Sequence, residues 1–143
     1  MKTVRDLLEQ KGSDVWSIGP RATVYEALQL MADKGIGAVL VLEEGRVVGI
    51  LSERDYARKV VLMERSSRDT PVEQIMSPDP VCVGPDETID ECLAIMTARR
   101  FRHLPVLDGD RLLGVVSIGD AVKGKIDDLE FVNRQLESYI KGQ

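Results

Sequence analysis

The chain has 143 residues, 43% of them hydrophobic and 30% charged, enough to bury one ordinary core but marginal if cut into two independent halves. A net charge of -5 and an aromatic content of 4% argue against nucleic-acid or anionic-membrane surfaces, which call for basic faces and stacking rings. No run approaches the roughly 18 apolar residues of a membrane span, and the first twelve residues carry too many charges for a signal peptide, so a cytoplasmic protein with no nucleic-acid or membrane partner is expected.

Val4-Arg-Asp-Leu-Leu8 reads as a short helical lead-in. Val15-Trp16-Ser17-Ile18, closed by Gly19-Pro20, reads as a strand ending in a turn. A helix follows, with Val24, Ala27, Leu28 and Met31 on one face and Thr23 and Glu26 spaced as a capping box. Ala38–Leu42 and Val47–Leu51, joined by the turn Glu43-Glu-Gly-Arg46, predict a β-hairpin. Ser52-Glu-Arg-Asp55 then opens a second helix, and Glu64–Pro71 is a polar linker.

The series then repeats. Val72–Met76 is a second lead-in, and Val81-Cys82-Val83 with Gly84-Pro85 a strand and turn. Thr88 and Glu91 cap a helix whose apolar face is Ile89, Cys92, Leu93 and Met96. The hairpin is Leu104–Leu107 with Leu112–Val116, and Ser117-Ile-Gly-Asp120 opens the last helix. Val122, Ile126, Leu129, Val132, Leu136 and Ile140 step by threes and fours through a long C-terminal helix, a face that calls for a partner surface or for packing on its own domain.

One shift of 65 positions relates the halves without a gap, setting Gly19-Pro20 on Gly84-Pro85, Thr23 on Thr88, Gly49 on Gly114, Ser52 on Ser117 and Asp55 on Asp120. The expected organisation is repeat 1 over residues 1–63, a linker over 64–71, repeat 2 over 72–125 and a C-terminal helix over 126–143. The fold class is α/β (α+β): two β-α-β-β-α repeats related by a pseudo-twofold axis, packed sheet to sheet. Cys82 and Cys92 have no partner cysteine, and His103 is the single histidine. A metal site and a Ser-His-Asp triad in each half are therefore not expected, and the cysteines read as small core residues.

Gly49-Ile-Leu-Ser-Glu-Arg-Asp55, Gly114-Val-Val-Ser-Ile-Gly-Asp120 and Arg102-His-Leu-Pro-Val106, in this order and repetition, resemble the tandem cystathionine-β-synthase (CBS) domain pair, or Bateman module. The resemblance covers roughly residues 3 to 125. It implies a non-catalytic regulatory module, stand-alone in type, that binds an adenine ligand such as AMP, ADP, ATP, NAD or NADH and forms a homodimer. A ligand-free interaction or dimerisation module and an S-adenosylmethionine sensor are the alternatives, and the effector protein is unknown.

The resemblance also implies two clefts, each taking its Ser and Asp from one repeat and its strands from the other. Site I would combine Ile50, Ser52, Arg54 and Asp55 with Val81, Cys82, Val83, Arg102, His103, Leu104 and Pro105. Site II would combine Val115, Ser117, Gly119 and Asp120 with Trp16, Ser17, Ile18, Gly37, Ala38 and Val39. In this reading an Asp carboxylate accepts a ribose diol, while Ser and the helix N-terminus face phosphate.

Each of these residues also has a plainer reading. Ser-x-x-Asp is the spacing of a helix N-cap with an acidic third residue. His103 reads as a phosphate or ribose contact or as a surface histidine, and Trp16 as core or as a ligand platform. Arg99-Arg100 reads as a solvent-exposed partner of a helix C-terminus. Arg54, Arg58, Lys59, Arg102 and His103 would gather at site I, which predicts the stronger phosphate site there and little positive charge at site II. An enzyme would need a general base or nucleophile that the clefts do not offer.

Overall fold

The computed structural model describes residues 2–142 and is a mixed α+β structure. In chain order it comprises α1 (Val4–Lys11), β1 (Ser17–Ile18), α2 (Val24–Lys34), β2 (Ala38–Glu43), β3 (Arg46–Ser52), α3 (Glu53–Tyr56), β4 (Ser77–Pro78), α4 (Ile89–Arg99), β5 (His103–Asp108), β6 (Arg111–Ser117) and α5 (Ile118–Lys141). All five helices begin at a Thr or Ser whose hydroxyl accepts the backbone N–H three residues on. Thr3–Asp6, Ser52–Asp55 and Ser117–Asp120 close full capping boxes. At Thr23 and Thr88 the hydroxyl half forms, and the acid does not return to the cap as its spacing suggested.

Two compact units result: Asp14–Val81, and the chain up to Ser13 together with the chain from Cys82 onward. Within Asp14–Val81 the sheet order is β1-β2-β3-β4, with β1 parallel to β2 and the other pairs antiparallel. The core joins Val24, Ala27 and Met31 of α2 to Val39, Val41 and Leu51 of the hairpin and to Val60. Val72 and Ile75 complete it. The second lead-in, a single 3-10 turn (Val72–Gln74) followed by β4, thus belongs by packing to the repeat it follows. Its backbone is fixed by Val72 N–H to Ala22 O at 2.8 Å and Glu73 N–H to Pro20 O at 2.9 Å.

The other unit repeats that docking with α1. Val4 N–H donates to Glu87 O and Arg5 N–H to Pro85 O, both at 2.8 Å, while Val4, Leu7 and Leu8 are buried. A shift of 68 relates the lead-ins (Val4 to Val72, Leu7 to Ile75), against 65 for the bodies. Each lead-in precedes one repeat in sequence and packs on the other. Ile89, Cys92, Met96, Leu104, Val106, Val116 and Ala121 fill the rest of this unit's core.

The two hairpins match in register and in fault: Ala38 faces Ser52 as His103 faces Ser117, and the ladders slip at Val41/Leu42 and Val106/Leu107. The first strand does not match. Val81–Val83, expected as a strand, is reduced to one parallel bridge from Val83 to Val106. In the first repeat β1 is extended by Leu40 N–H to Trp16 O at 3.3 Å; the residue equivalent to Leu40 is Pro105, which has no N–H to donate.

The second helices diverge as well. After α3 the chain makes a π-helical turn, Ala57–Val61, with Leu62 N–H reaching Ala57 O, and leaves through Glu64 at a φ of 54°. The last helix instead runs unbroken for 24 residues, so residues expected in repeat 2 and in the C-terminal segment from 126 onward share one continuous helix. Its Ile126, Leu129, Val132, Leu136 and Ile140 remain about half exposed or more.

The glycine of each Gly-x-x-Ser-x-x-Asp stretch has a packing reason. A Cβ on Gly49 would stand 2.4 Å from Met76 Sδ and 3.0 Å from Ser77 O, and one on Gly114 2.8 Å from Leu8 Cδ2. Both glycines let a lead-in lie directly on the hairpin.

Candidate functional site

The last residue of β3 is also the N-cap of α3. This brings Ser52 and Asp55 to one point: Asp55 Oδ2 accepts Ser52 N–H and Ser52 Oγ–H, each at 3.0 Å, and Ser52 Oγ accepts Asp55 N–H at 3.2 Å. The other carboxylate oxygen meets Lys59 Nζ at 3.2 Å and Ser77 Oγ at 3.4 Å. Gly37 and Ala38 lie beside the cap, with Glu53 N–H on Gly37 O at 3.0 Å and Ala38 opposite Ser52. Arg54 and Gly37 are exposed and Ile50 is buried.

The unit holding α5 repeats the box. Asp120 Oδ2 accepts Ser117 N–H at 2.9 Å, and Ser117 Oγ accepts Asp120 N–H at 3.1 Å. Here the cation comes from far along the chain. Lys11, at the end of α1, lies 2.6 Å from Asp120 Oδ2 and donates to Val115 O at 2.8 Å. The position equivalent to Val115 is Ile50, which pairs with Ser77 in the ladder, so the Lys11 ammonium occupies the place that a β-strand takes in the other unit. Burial opposes ionisation of Asp120, yet the hydrogen bonds from Lys11 and Ser117 outweigh it and hold the carboxyl below its usual value.

His103 faces Ser117 across the β5–β6 ladder. Burial lowers its pKa, the Asp120 charge opposes that shift, and Lys11 and Arg102 add to it. Arg102 is exposed and its carbonyl accepts Ile118 N–H at 2.8 Å. A cavity of about 100 Å³ lined by Leu7, Gln10, Lys11, Asp120, Lys123 and Gly124 opens beside the carboxylate.

Each unit therefore contains members of both expected sites. Trp16, Ser17, Ile18, Gly37, Ala38, Val39, Ile50, Ser52, Arg54, Asp55 and Val81 belong to one, and Cys82, Val83, Arg102, His103, Leu104, Pro105, Val115, Ser117, Gly119 and Asp120 to the other. Trp16 is not core: it is 39% exposed, and Lys34 Nζ sits 4.2 Å above its ring. Arg100 caps α4 in the left-handed conformation, φ 58°, where Gly35 caps α2. Cys92 is buried, and burial together with Glu87 and Glu91 pushes its thiol up to about 11. Among the described residues no group of three or more His, Cys, Asp and Glu side chains could hold a metal, and no helix is long and apolar enough to cross a membrane.

Sequence reasoning missed Lys11, whose partner lies 109 residues away; nothing local marks it. It noted Lys59 as a cation without pairing it to Asp55, although the i,i+4 spacing was there to read. With Lys11 placed at Asp120, the expectation of little positive charge beside the second Ser-x-x-Asp does not hold.

Two helix–hairpin–helix copies, each presenting a boxed Ser-x-x-Asp helix start at the end of a hairpin strand, define a paired-repeat module. The CBS domain family profile matches residues 3–62 and 72–126. The chain belongs to the CBS domain family, as a tandem pair. It is 33% identical over 150 aligned positions to the CBS domain-containing protein CBSX3, mitochondrial, of Arabidopsis thaliana, covering 98% of this chain and 72% of that protein. A solved protein with CBS domains from Burkholderia ambifaria MC40-6 is 51% identical and superimposes with a TM-score of 0.86 over 89% of this chain and 96% of its own. The CBS domain pair of protein MJ0100, solved with 5'-methylthioadenosine and S-adenosyl-L-methionine, shares the fold at 22% identity, with a TM-score of 0.79 over 90% of this chain and 98% of its own.

Proposed function

We propose that this CBS pair is a non-catalytic sensor of an adenine nucleotide, with AMP the first choice and ADP, ATP, NAD or NADH of the same class. The observation that carries the reading is the twofold occurrence of one polar arrangement. At Ser52–Asp55 and at Ser117–Asp120 a carboxylate held by a capping box stands at a helix N-terminus beside a hairpin strand, with cations in reach. A carboxylate so placed can accept a ribose diol, and the helix N-terminus with Ser, Arg54, Arg102 or His103 favours phosphate. MJ0100 supports the ligand class, since a protein of this fold holds two adenosine-containing molecules.

The reading also includes self-association through α5. Ile126, Leu129, Val132, Leu136 and Ile140 line a helix of 24 residues, about 36 Å long at 1.5 Å per residue. A second copy supplies the same stripe, and a twofold axis makes such a face self-complementary.

Calorimetry and thermal unfolding with AMP, ATP, NAD, NADH and S-adenosylmethionine test the ligand. Saturation at a hundred times Kd stabilises the fold by about 2.7 kcal/mol. Asp55→Ala and Arg102→Ala are each expected to weaken the stronger AMP event about ten- to a hundredfold, and Asp120→Ala to affect the other. An unmoved melting curve across the panel at millimolar ligand ends the sensing hypothesis. If Arg102→Ala follows Asp120→Ala instead, Arg102 serves the carboxylate of its own unit.

A further inference from the structure

Both Ser-x-x-Asp carboxylates are ion-paired to a lysine, and the duplication does not relate the two lysines. Lys59 lies four residues beyond Asp55, 3.2 Å from its Oδ1, and maps under the shift of 65 onto Gly124. Lys11 lies on α1, 2.6 Å from Asp120, and maps under the lead-in shift of 68 onto Asp79. Each ammonium also donates to a backbone carbonyl, Lys59 to Ile75 O at 3.0 Å and Lys11 to Val115 O at 2.8 Å. The same triad of carboxylate, ammonium and carbonyl has been built twice from different positions. Capping alone does not require it: the Thr3–Asp6 box closes with no lysine at salt-bridge distance from Asp6 among the described residues.

We propose that Lys11 and Lys59 are specificity-determining residues that make occupation of the two Ser-x-x-Asp carboxylates conditional on an anionic group in the ligand. The proposal rests on the nucleotide reading above. A ribose diol that takes the carboxylate displaces the ammonium from it. An uncharged nucleoside gives the released lysine nothing in exchange, so its binding carries the loss of an ion pair. A ligand that also bears phosphate supplies a new counter-charge, and a compact ammonium on a flexible stem is suited to follow it. The lysines thereby act as selectors for nucleotide over nucleoside and keep the unoccupied carboxylates neutralised.

The test is calorimetry of the full chain with AMP and with adenosine, for wild type, Lys11→Met, Lys59→Met and the charge-retaining Lys11→Arg and Lys59→Arg. Wild type is expected to prefer AMP about tenfold or more, each Met variant to bind adenosine about three- to tenfold more tightly and AMP more weakly at the event that the neighbouring Asp→Ala weakens, and each Arg variant to keep the wild-type ratio. Far-UV circular dichroism and an unchanged second binding event verify that a variant is folded. An AMP-to-adenosine ratio that both Met variants leave unchanged overturns the proposal while leaving the nucleotide reading intact. Wild-type protein that binds neither compound overturns both.

Discussion

A single methyl group added at Gly49 is expected to destabilise the protein, and truncating Met76 to relieve most of that cost. The new Cβ would stand 2.4 Å from Met76 Sδ, 2.9 Å from its Cγ and 3.0 Å from Ser77 O, all inside ordinary van der Waals contact. Overpacking of this kind costs about 1–3 kcal/mol, against which the reduced freedom of the unfolded chain returns about 0.4–1 kcal/mol. Gly49→Ala should therefore lose roughly 1–2 kcal/mol, a fall of several degrees in Tm for a chain of this size. Met76→Ala removes the two closest atoms and leaves the Ser77 carbonyl, so the double variant should show a coupling of about 1 kcal/mol or more in urea denaturation. At Gly114 the neighbour is the tip of Leu8, so Gly114→Ala should couple to Leu8→Ala and add independently to Met76→Ala. Additivity of Gly49→Ala and Met76→Ala within about 0.5 kcal/mol, or coupling of Met76 to Gly114, would refute the exchange of lead-ins on which the fold rests.

His103 has its pKa lowered by burial from 6.5, so the unfolded chain binds more protons between that lowered value and 6.5; stability is complete above about 6.5 and falls as pH drops through the window. His103→Gln should flatten this limb of a stability-versus-pH curve. Asp120, lowered from 3.8, contributes stability that is present above about 4 and lost as pH falls through its depressed value, so Asp120→Asn should lower stability above about pH 4, converge with wild type in acid, and deepen the His103 limb by removing the charge that opposes the His103 shift. Leu136→Glu on the exposed face of α5 should shift sedimentation toward the monomer with the melting temperature of the subunit nearly kept; an unchanged dimer would remove α5 as the seam. Arg100→Gly relieves a left-handed residue at the α4 C-cap and should raise stability by a fraction of a kcal/mol to about 1 kcal/mol, whereas a loss would show that the Arg100 side chain contributes more than its backbone strains.

What could be read from the chain was whatever local pattern encodes. The apolar faces of α2 and α4, the two hairpins and the Ser-x-x-Asp caps all lie within a few residues of the signals that specify them, and the shift of 65 doubled each one. Three features resisted. The strand at Val81–Val83 failed because its partner position, Pro105, lacks the N–H needed for a second rung, and that defect is written two elements downstream. The docking of Val4–Leu8 and Val72–Met76 was invisible because amphipathic spacing says that a segment buries a face and not against which repeat. Lys11 was missed for the same reason: a lysine at the end of a helix looks like a partner for the helix dipole, and only the packed position of α1 brings it to Asp120.

The placement of α1 has a consequence for biosynthesis. α1 is synthesised before Asp14–Val81, yet Glu87, Gly114 and Gly124, against which it docks or closely approaches, are translated after that whole unit. Residues 14–81 are contiguous and include their own lead-in, so this unit can close while the remainder is still being made. Throughout that interval Val4, Leu7 and Leu8 have no core to enter, and eight residues are too few to hold a helix alone in water. The order of synthesis thus runs opposite to the order of assembly for this one segment, and Val4–Lys11 is the stretch of chain that a holding chaperone would have to cover until β6 and α5 emerge.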